Sequence, residues 1–256
     1  MAKQQRLNSW LIGLAAALAL AIAPPVFATT TAASPAQAQD SDAAPTDADL
    51  ASTNCAIGEE RFVPADYYYC LGKQTYGNHH YASSQKFFTT AASWASKPAQ
   101  YVLGIMALNG DHQPVNRPLA LAWLALASER PNSDYREAYE SLYKSASADE
   151  RKASEQLLVT MRATYADSKA AVRAEQRYVA GMAELTRLSN NEGMYCMEGG
   201  STLSQPNTDP SNCPTAQSVV KVVDTVAASV FDGWVGHVQV GPLQQVPAPD
   251  DKQPVK

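Results

Sequence analysis

The chain has 256 residues, 45% hydrophobic and 18% charged, enough apolar side chains to bury the core of one or two domains. Its 20 Lys and Arg do not outnumber its 25 Asp and Glu, so the basic stripe of a nucleic-acid binder is missing and no nucleic-acid partner is expected. Past the N-terminus no run approaches the ~20 consecutive apolar residues that span a bilayer, so no membrane span is expected in the mature chain.

Lys3 and Arg6 form a positive n-region, Trp10 to Ala23 an apolar stretch, and Pro24-Pro25 breaks it ahead of Val26-Phe27-Ala28. That stretch is Ala-rich and too short for an anchor, so residues 1–28 read as a signal peptide cleaved near Ala28, which places the mature chain in the periplasm or outside the cell. Residues 29–54 carry four aspartates, no Lys or Arg and almost no large apolar side chain, the composition of a disordered leader. Residues 244–256, with Pro247, Pro249 and Pro254 among polar residues, read as a second flexible end. Residues 55–189 then form a helical domain and residues 190–243 a C-terminal segment of different character.

Cys55, Cys70, Cys196 and Cys213 all lie in the exported part, where an even number of thiols points to disulfides. No two of them stand two to four residues apart, as structural zinc sites usually require, so no metal is expected. Of the three possible pairings, separations of 15 and 17 residues favour Cys55 with Cys70 and Cys196 with Cys213, the short loops that close most easily. Each would stabilise by about 3 kcal/mol in the loop-entropy model.

Between these staples the apolar periodicity is helical. Ser96 and Pro98 open a helix whose face is Tyr101, Val102, Ile105 and Leu108, and Gly110 closes it. Asn116 is placed to cap a second helix, apolar all round from Leu119 to Ala127, which other helices must cover. Asn132 is expected to open a third, with Tyr135, Ala138, Tyr139, Leu142 and Tyr143 on one face. Ser147 with Glu150 predicts a capping box for a long fourth helix, its stripe running through Leu157, Leu158, Met161, Tyr165, Val172, Val179 and Met182 with a break near Asp167.

Leu71-Gly72 recurs as Leu103-Gly104 and Phe87 as Trp123, each unit reading as helix, glycine-containing turn, helix. The glycines let a neighbouring helix approach, and the aromatics are expected to fill the space between paired helices. Leu103-Gly104, Ala107, Gly110, Pro114, Asn116, Ala120, Trp123 and Ala127 resemble in order the pattern of a Sel-one-like repeat, the helical-pair repeat related to tetratricopeptide repeats. Leu71-Gly72, Gly77, Phe87, Phe88, Ala91 and Ala92 are similar, but Ser84 stands where the pattern has Ala and His112 where a second turn glycine is usual. The resemblance covers Tyr67 to Ser128, with Asn132 to Arg162 a degenerate third pair. It implies a short α/α solenoid of two to three pairs that binds a protein or peptide without chemistry of its own. Some disulfide-rich bacterial relatives have been linked to β-lactam binding or hydrolysis, which makes a β-lactam-recognising hydrolase the alternative.

The catalytic motifs G-x-S-x-G, H-E-x-x-H, the P-loop and G-x-G-x-x-G are all missing from the sequence, so no catalytic residue and no cofactor is assigned. His79, His80 and His112 fall in the turns of successive units and read as solvated, although they could gather on one edge. Tyr67, Tyr68 and Tyr69 point about 100° apart on a helix and cannot all be core. The candidate binding residues are Tyr68, Tyr69, His80 and His112. Gly199 to Thr202 reads as a loop, and Val219, Val222, Val223, Val226 and Val230 as a helix stripe. Asp232-Gly233 turns the chain into a possible short strand, Trp234 to Val240. The expected fold is thus all-α, a short solenoid followed by a long helix and a small stapled C-terminal segment.

Overall fold

The computed structural model describes residues 55–56, 58–196 and 213–235; the expected signal peptide, leader and tail, the Gly199 to Thr202 loop and Gly236 to Val240 of the expected strand lie outside them. Among the described residues the chain is all-α, with a 3-10 turn at Glu59–Arg61 followed by α1 (Pro64–Gly77), α2 (Tyr81–Ser93), α3 (Lys97–Asn109) and α4 (Arg117–Ala127). Then come α5 (Arg136–Ser145), α6 (Ala148–Tyr165), α7 (Asp167–Asn190) and α8 (Ala216–Val230).

The helix ends are set by local chemistry. Pro98 lies in the first turn of α3, and Gly110 ends it at φ 70°, the left-handed conformation that a glycine adopts without a steric penalty. Asn116 Oδ1 accepts from the Leu119 amide at 3.0 Å. The capping box of α6 is complete, with Glu150 N–H donating to Ser147 Oγ at 3.2 Å and Ser147 N–H to Glu150 Oε2 at 2.7 Å. Between α6 and α7 the chain is extended at Ala166, which is the break expected near Asp167. Asn132 does not open α5. It sits at φ 57° in a turn, Ser133 Oγ donates to the Ala127 carbonyl and accepts from the Tyr135 amide, and the helix begins at Arg136.

Helices α1 and α2 pair antiparallel, α3 and α4 do the same, and α2 packs on α3 to join the pairs. The third unit departs from this pattern, because α5 and α6 each pack on α4 more extensively than on one another. In both pairs the glycine sets the close approach: a Cβ on Gly72 would lie 2.5 Å from the Phe88 ring, and one on Gly104 2.9 Å from Leu124 Cγ. The residues seated over the glycines are therefore Phe88 and Leu124, one place beyond the aligned Phe87 and Trp123. Trp123 is 7% exposed in the core and meets Tyr165 edge-on at 4.7 Å, whereas Phe87 is half-buried and stacks on Tyr68 at 6.3 Å. Ser84 is a fitted replacement for the Ala120 of the next unit. It is fully buried, and its hydroxyl donates to the Gly72 carbonyl at 2.7 Å.

A second core joins Phe62 and Val63 to Met182 and Leu185 of α7 and Val219, Val223 and Phe231 around α8. On α7 the inward face is Ala170, Ala171, Ala174, Met182 and Leu185, so Val172 and Val179 are exposed, contrary to the expected stripe. Val222 of α8 is likewise exposed at 59%. Trp234 is no strand residue; it follows a turn and packs its ring 5.7 Å from Phe231. The extended pairing among the described residues is one antiparallel bridge, Met194 with Thr215, beside the Cys196–Cys213 disulfide. The other disulfide, Cys55–Cys70, ties the chain ahead of the 3-10 turn to α1. Both are the short-loop pairs.

Lys97 and Arg130, 6% and 7% exposed, lock the two cores together. Lys97 Nζ donates to the Leu126 carbonyl at 2.7 Å and reaches Glu129 and Asp167, each at 3.0 Å. Arg130 makes a two-pronged bond to Asp167 at 2.8 and 3.3 Å and donates to the carbonyls of Val230, Asp232 and Ala95. Glu129 in turn accepts from the Asp167 amide at 3.0 Å and so caps α7. The α2–α3 junction, the end of α4, the start of α7 and the end of α8 thus meet at one charged node.

Two results check this packing. Gly72→Ala should destabilise by about 1 to 3 kcal/mol by overpacking against Phe88, whereas Gly77→Ala, whose added methyl meets nothing within 4 Å, should stay within about 0.5 kcal/mol of the parent in urea titrations. Arg130→Ala should cost about 3 to 5 kcal/mol, since it leaves three carbonyls and Asp167 Oδ2 without their Arg130 donors, with only Lys97 still holding Asp167 Oδ1. A loss under about 1 kcal/mol would show that the node does not hold the two cores together.

Candidate functional site: a tyrosine-lined groove

The first helices of the successive units, α1, α3 and α5, turn one face outward. On α1 that face is Asp66, Tyr69, Lys73 and Tyr76, at helical spacing. On α3 it is Pro98, Tyr101, Val102 and Ile105, and Tyr135 at the cap of α5 stacks on Tyr101 with ring centroids 4.9 Å apart. Burial raises the Tyr135 hydroxyl above its ordinary pKa, and Tyr69, Asp134 and Tyr101 add to it. Tyr69 also touches Phe88 beneath, and Lys73 Nζ stands 4.8 Å over the Tyr69 ring.

Two cavities follow one another along this face. One of about 290 Å³ lies between α1 and α3 over Phe88, walled by Tyr76, Tyr101, Val102, Ile105 and Met106 with Lys73 and Asp111 at its edge. The other, about 390 Å³, lies where α1 and α3 begin and the end of α8 arrives; Asp66, Pro98, Asp134 and Tyr135 line it, with Lys97 and Arg130 beside them. Since Asp66, Lys73 and Tyr76 succeed one another along α1, as Pro98, Tyr101 and Ile105 do along α3, the two cavities form one groove.

Of the residues singled out by sequence, Tyr69 borders this groove, its ring held between Phe88 and Lys73, both of which line it. Tyr68 does not; it stacks on Phe87 in the α1–α2 seam and meets Tyr67 edge-on. His80 occupies the cap position of α2, the counterpart of Asn116, with its amide donating to the Thr75 carbonyl. His112 gathers with His79 on one edge, as their turn positions allow: His79 Nδ1 is 2.7 Å from Tyr81 Oη, and the Tyr81 ring stacks on His112. Tyr76 connects that edge to the groove by donating to Asp111 at 2.8 Å, a bond that with burial pushes its hydroxyl up to about 12. Among the described residues no three His, Cys, Asp or Glu side chains are placed to hold a metal ion. Sequence reasoning missed Tyr76, Tyr101 and Tyr135 as one surface. The signal was present as aromatics recurring on the first helix of each unit, where Tyr101 and Tyr135 belong to the faces of separate helices.

Behind α1 lies Glu59, 8% exposed, whose carboxyl is raised from 4.5 to about 8 by burial first and then by Asp66 and Glu60. The fold favours its neutral form, so its contribution to stability is full below about pH 4.5 and declines as pH rises toward about 8, by at most about 1.4 kcal/mol per pH unit. Asp66, also raised by burial, adds a slope of the same sign. Urea midpoints measured from about pH 5 to about pH 8 should therefore fall in the parent and fall less steeply in Glu59→Gln. Equal slopes in the two proteins would remove Glu59 as the source.

No family model matches the chain, nor does any curated protein or solved structure.

Proposed function

We propose that this chain is an exported helical-repeat adaptor, allied to the Sel-one-like repeats, that holds an extended protein or peptide segment in the groove of α1, α3 and α5. The observation that carries the reading is the run of half-buried tyrosines, Tyr76, Tyr101 and Tyr135, presented by successive units along one open groove. Tyrosine supplies a large rigid apolar contact with a polar tip at small entropic cost, which is why it concentrates at recognition surfaces. Two formed disulfides fit an oxidising compartment, and among the described residues no helix is long and apolar enough to cross a membrane. The reading assigns no reaction to the chain.

Benzoylphenylalanine placed at position 101 and photolysed in the native cell should give a discrete protein adduct, and the same label at Val159, 75% exposed on α6, should not. Tyr135→Ala should weaken the captured partner by at least about tenfold. Adducts formed equally well from both positions, or from neither, would remove the groove as the binding face.

A further inference from the structure

The charges along the groove are unevenly matched. Lys97 Nζ has Leu126, Gln100, Glu129 and Asp167 as acceptors, and every nitrogen of Arg130 is engaged, so neither cation has a donor to spare for an incoming anion. The carboxylates on the same cavity are in the opposite state. Asp66 is half-buried, and neither it nor the exposed Asp134 makes a side-chain hydrogen bond or ion pair among the described residues. Lys73 acts on Asp66 only at a distance, its ammonium lying over the Tyr69 ring. A carboxylate that loses water without gaining a donor carries an uncompensated cost, which a cation arriving from outside would relieve.

The tyrosines favour the same ligand. Ring faces attract ammonium and guanidinium groups, and Lys73 over Tyr69 at 4.8 Å is an instance within the protein itself. The 390 Å³ cavity has room for a whole side chain, and the adjoining 290 Å³ cavity, walled by Val102, Ile105 and Met106, takes an apolar neighbour. We infer that the groove recognises a peptide segment anchored by an arginine or lysine, whose charged end sits between the Asp66 and Asp134 carboxylates beside the Tyr135 ring, with an apolar residue lying toward Ile105. The inference rests on the adaptor reading and adds the partner's chemistry to it.

A random dodecapeptide display library panned against the oxidised full-length chain tests it. Recovered sequences should be enriched in Arg or Lys beside an apolar residue. By fluorescence anisotropy their affinity should fall roughly three- to tenfold when that residue becomes citrulline or acetyl-lysine, and by a similar factor in Asp66→Asn and in Asp134→Asn, with melting temperatures no lower than the parent's. The loss should shrink as salt is raised, because the rim carboxylates are screened. Peptides without a basic bias, bound equally by the Asn variants but lost in Tyr101→Ala, would overturn the cationic anchor and leave the groove as a binding face. Peptides indifferent to Tyr101→Ala, or none recovered, would overturn both.

Discussion

A lysine and an arginine buried beside two carboxylates are costly unless their donors find acceptors, and here every one does. Lys97 and Arg130 spend their hydrogens on Glu129, Asp167 and carbonyls of α4, α8 and the α2–α3 junction. The node therefore solves two problems together. It satisfies helix ends that would otherwise lie buried without partners, and it fixes where the second core sits on the first. Because Asp167 opens α7 and Val230 closes α8, this one cluster decides that the end of α8 closes the cavity at the start of α1 and α3.

The groove follows from that constraint together with two glycines. Gly72 and Gly104 bring α1 onto α2 and α3 onto α4 closely enough for Phe88 and Leu124 to fill the seams. Once those seams hold the apolar bulk, the adjoining faces of α1 and α3 are left with the amphipathic residues Tyr69, Lys73, Tyr76 and Tyr101. Tyr135 joins them because the turn after α4 is held by Ser133 and Arg136, which donate back to the Ala127, Ser128 and Arg130 carbonyls and so delay the start of α5. The irregular third unit is thus the feature that completes the aromatic surface.

Much of the architecture was legible in the sequence, and in each case the determinant is local. Asn116 caps, Ser147 and Glu150 pair, Gly110 turns left-handed, and the cysteines 15 and 17 residues apart close short loops. All of these interactions span a few residues, so the chain carries them whatever else it contacts. The recurrence of Leu-Gly at the same place in two units located the helical pairs for the same reason.

What the tertiary structure alone decided is rotation and partnership. Three consecutive tyrosines fix their mutual angles but not what each one meets, and packing set Tyr68 on Phe87 and Tyr69 on Phe88. A stripe of Val172 and Val179 looks like a core face until small Ala170, Ala171 and Ala174 allow a closer approach on the other side. Nothing local marks Lys97, Arg130 and Asp167 as one cluster, because the groups they join lie 29 to 102 residues apart. Helix ends are set by neighbours along the chain, whereas the phase of a helix and the fate of a charge depend on which surfaces are brought against it.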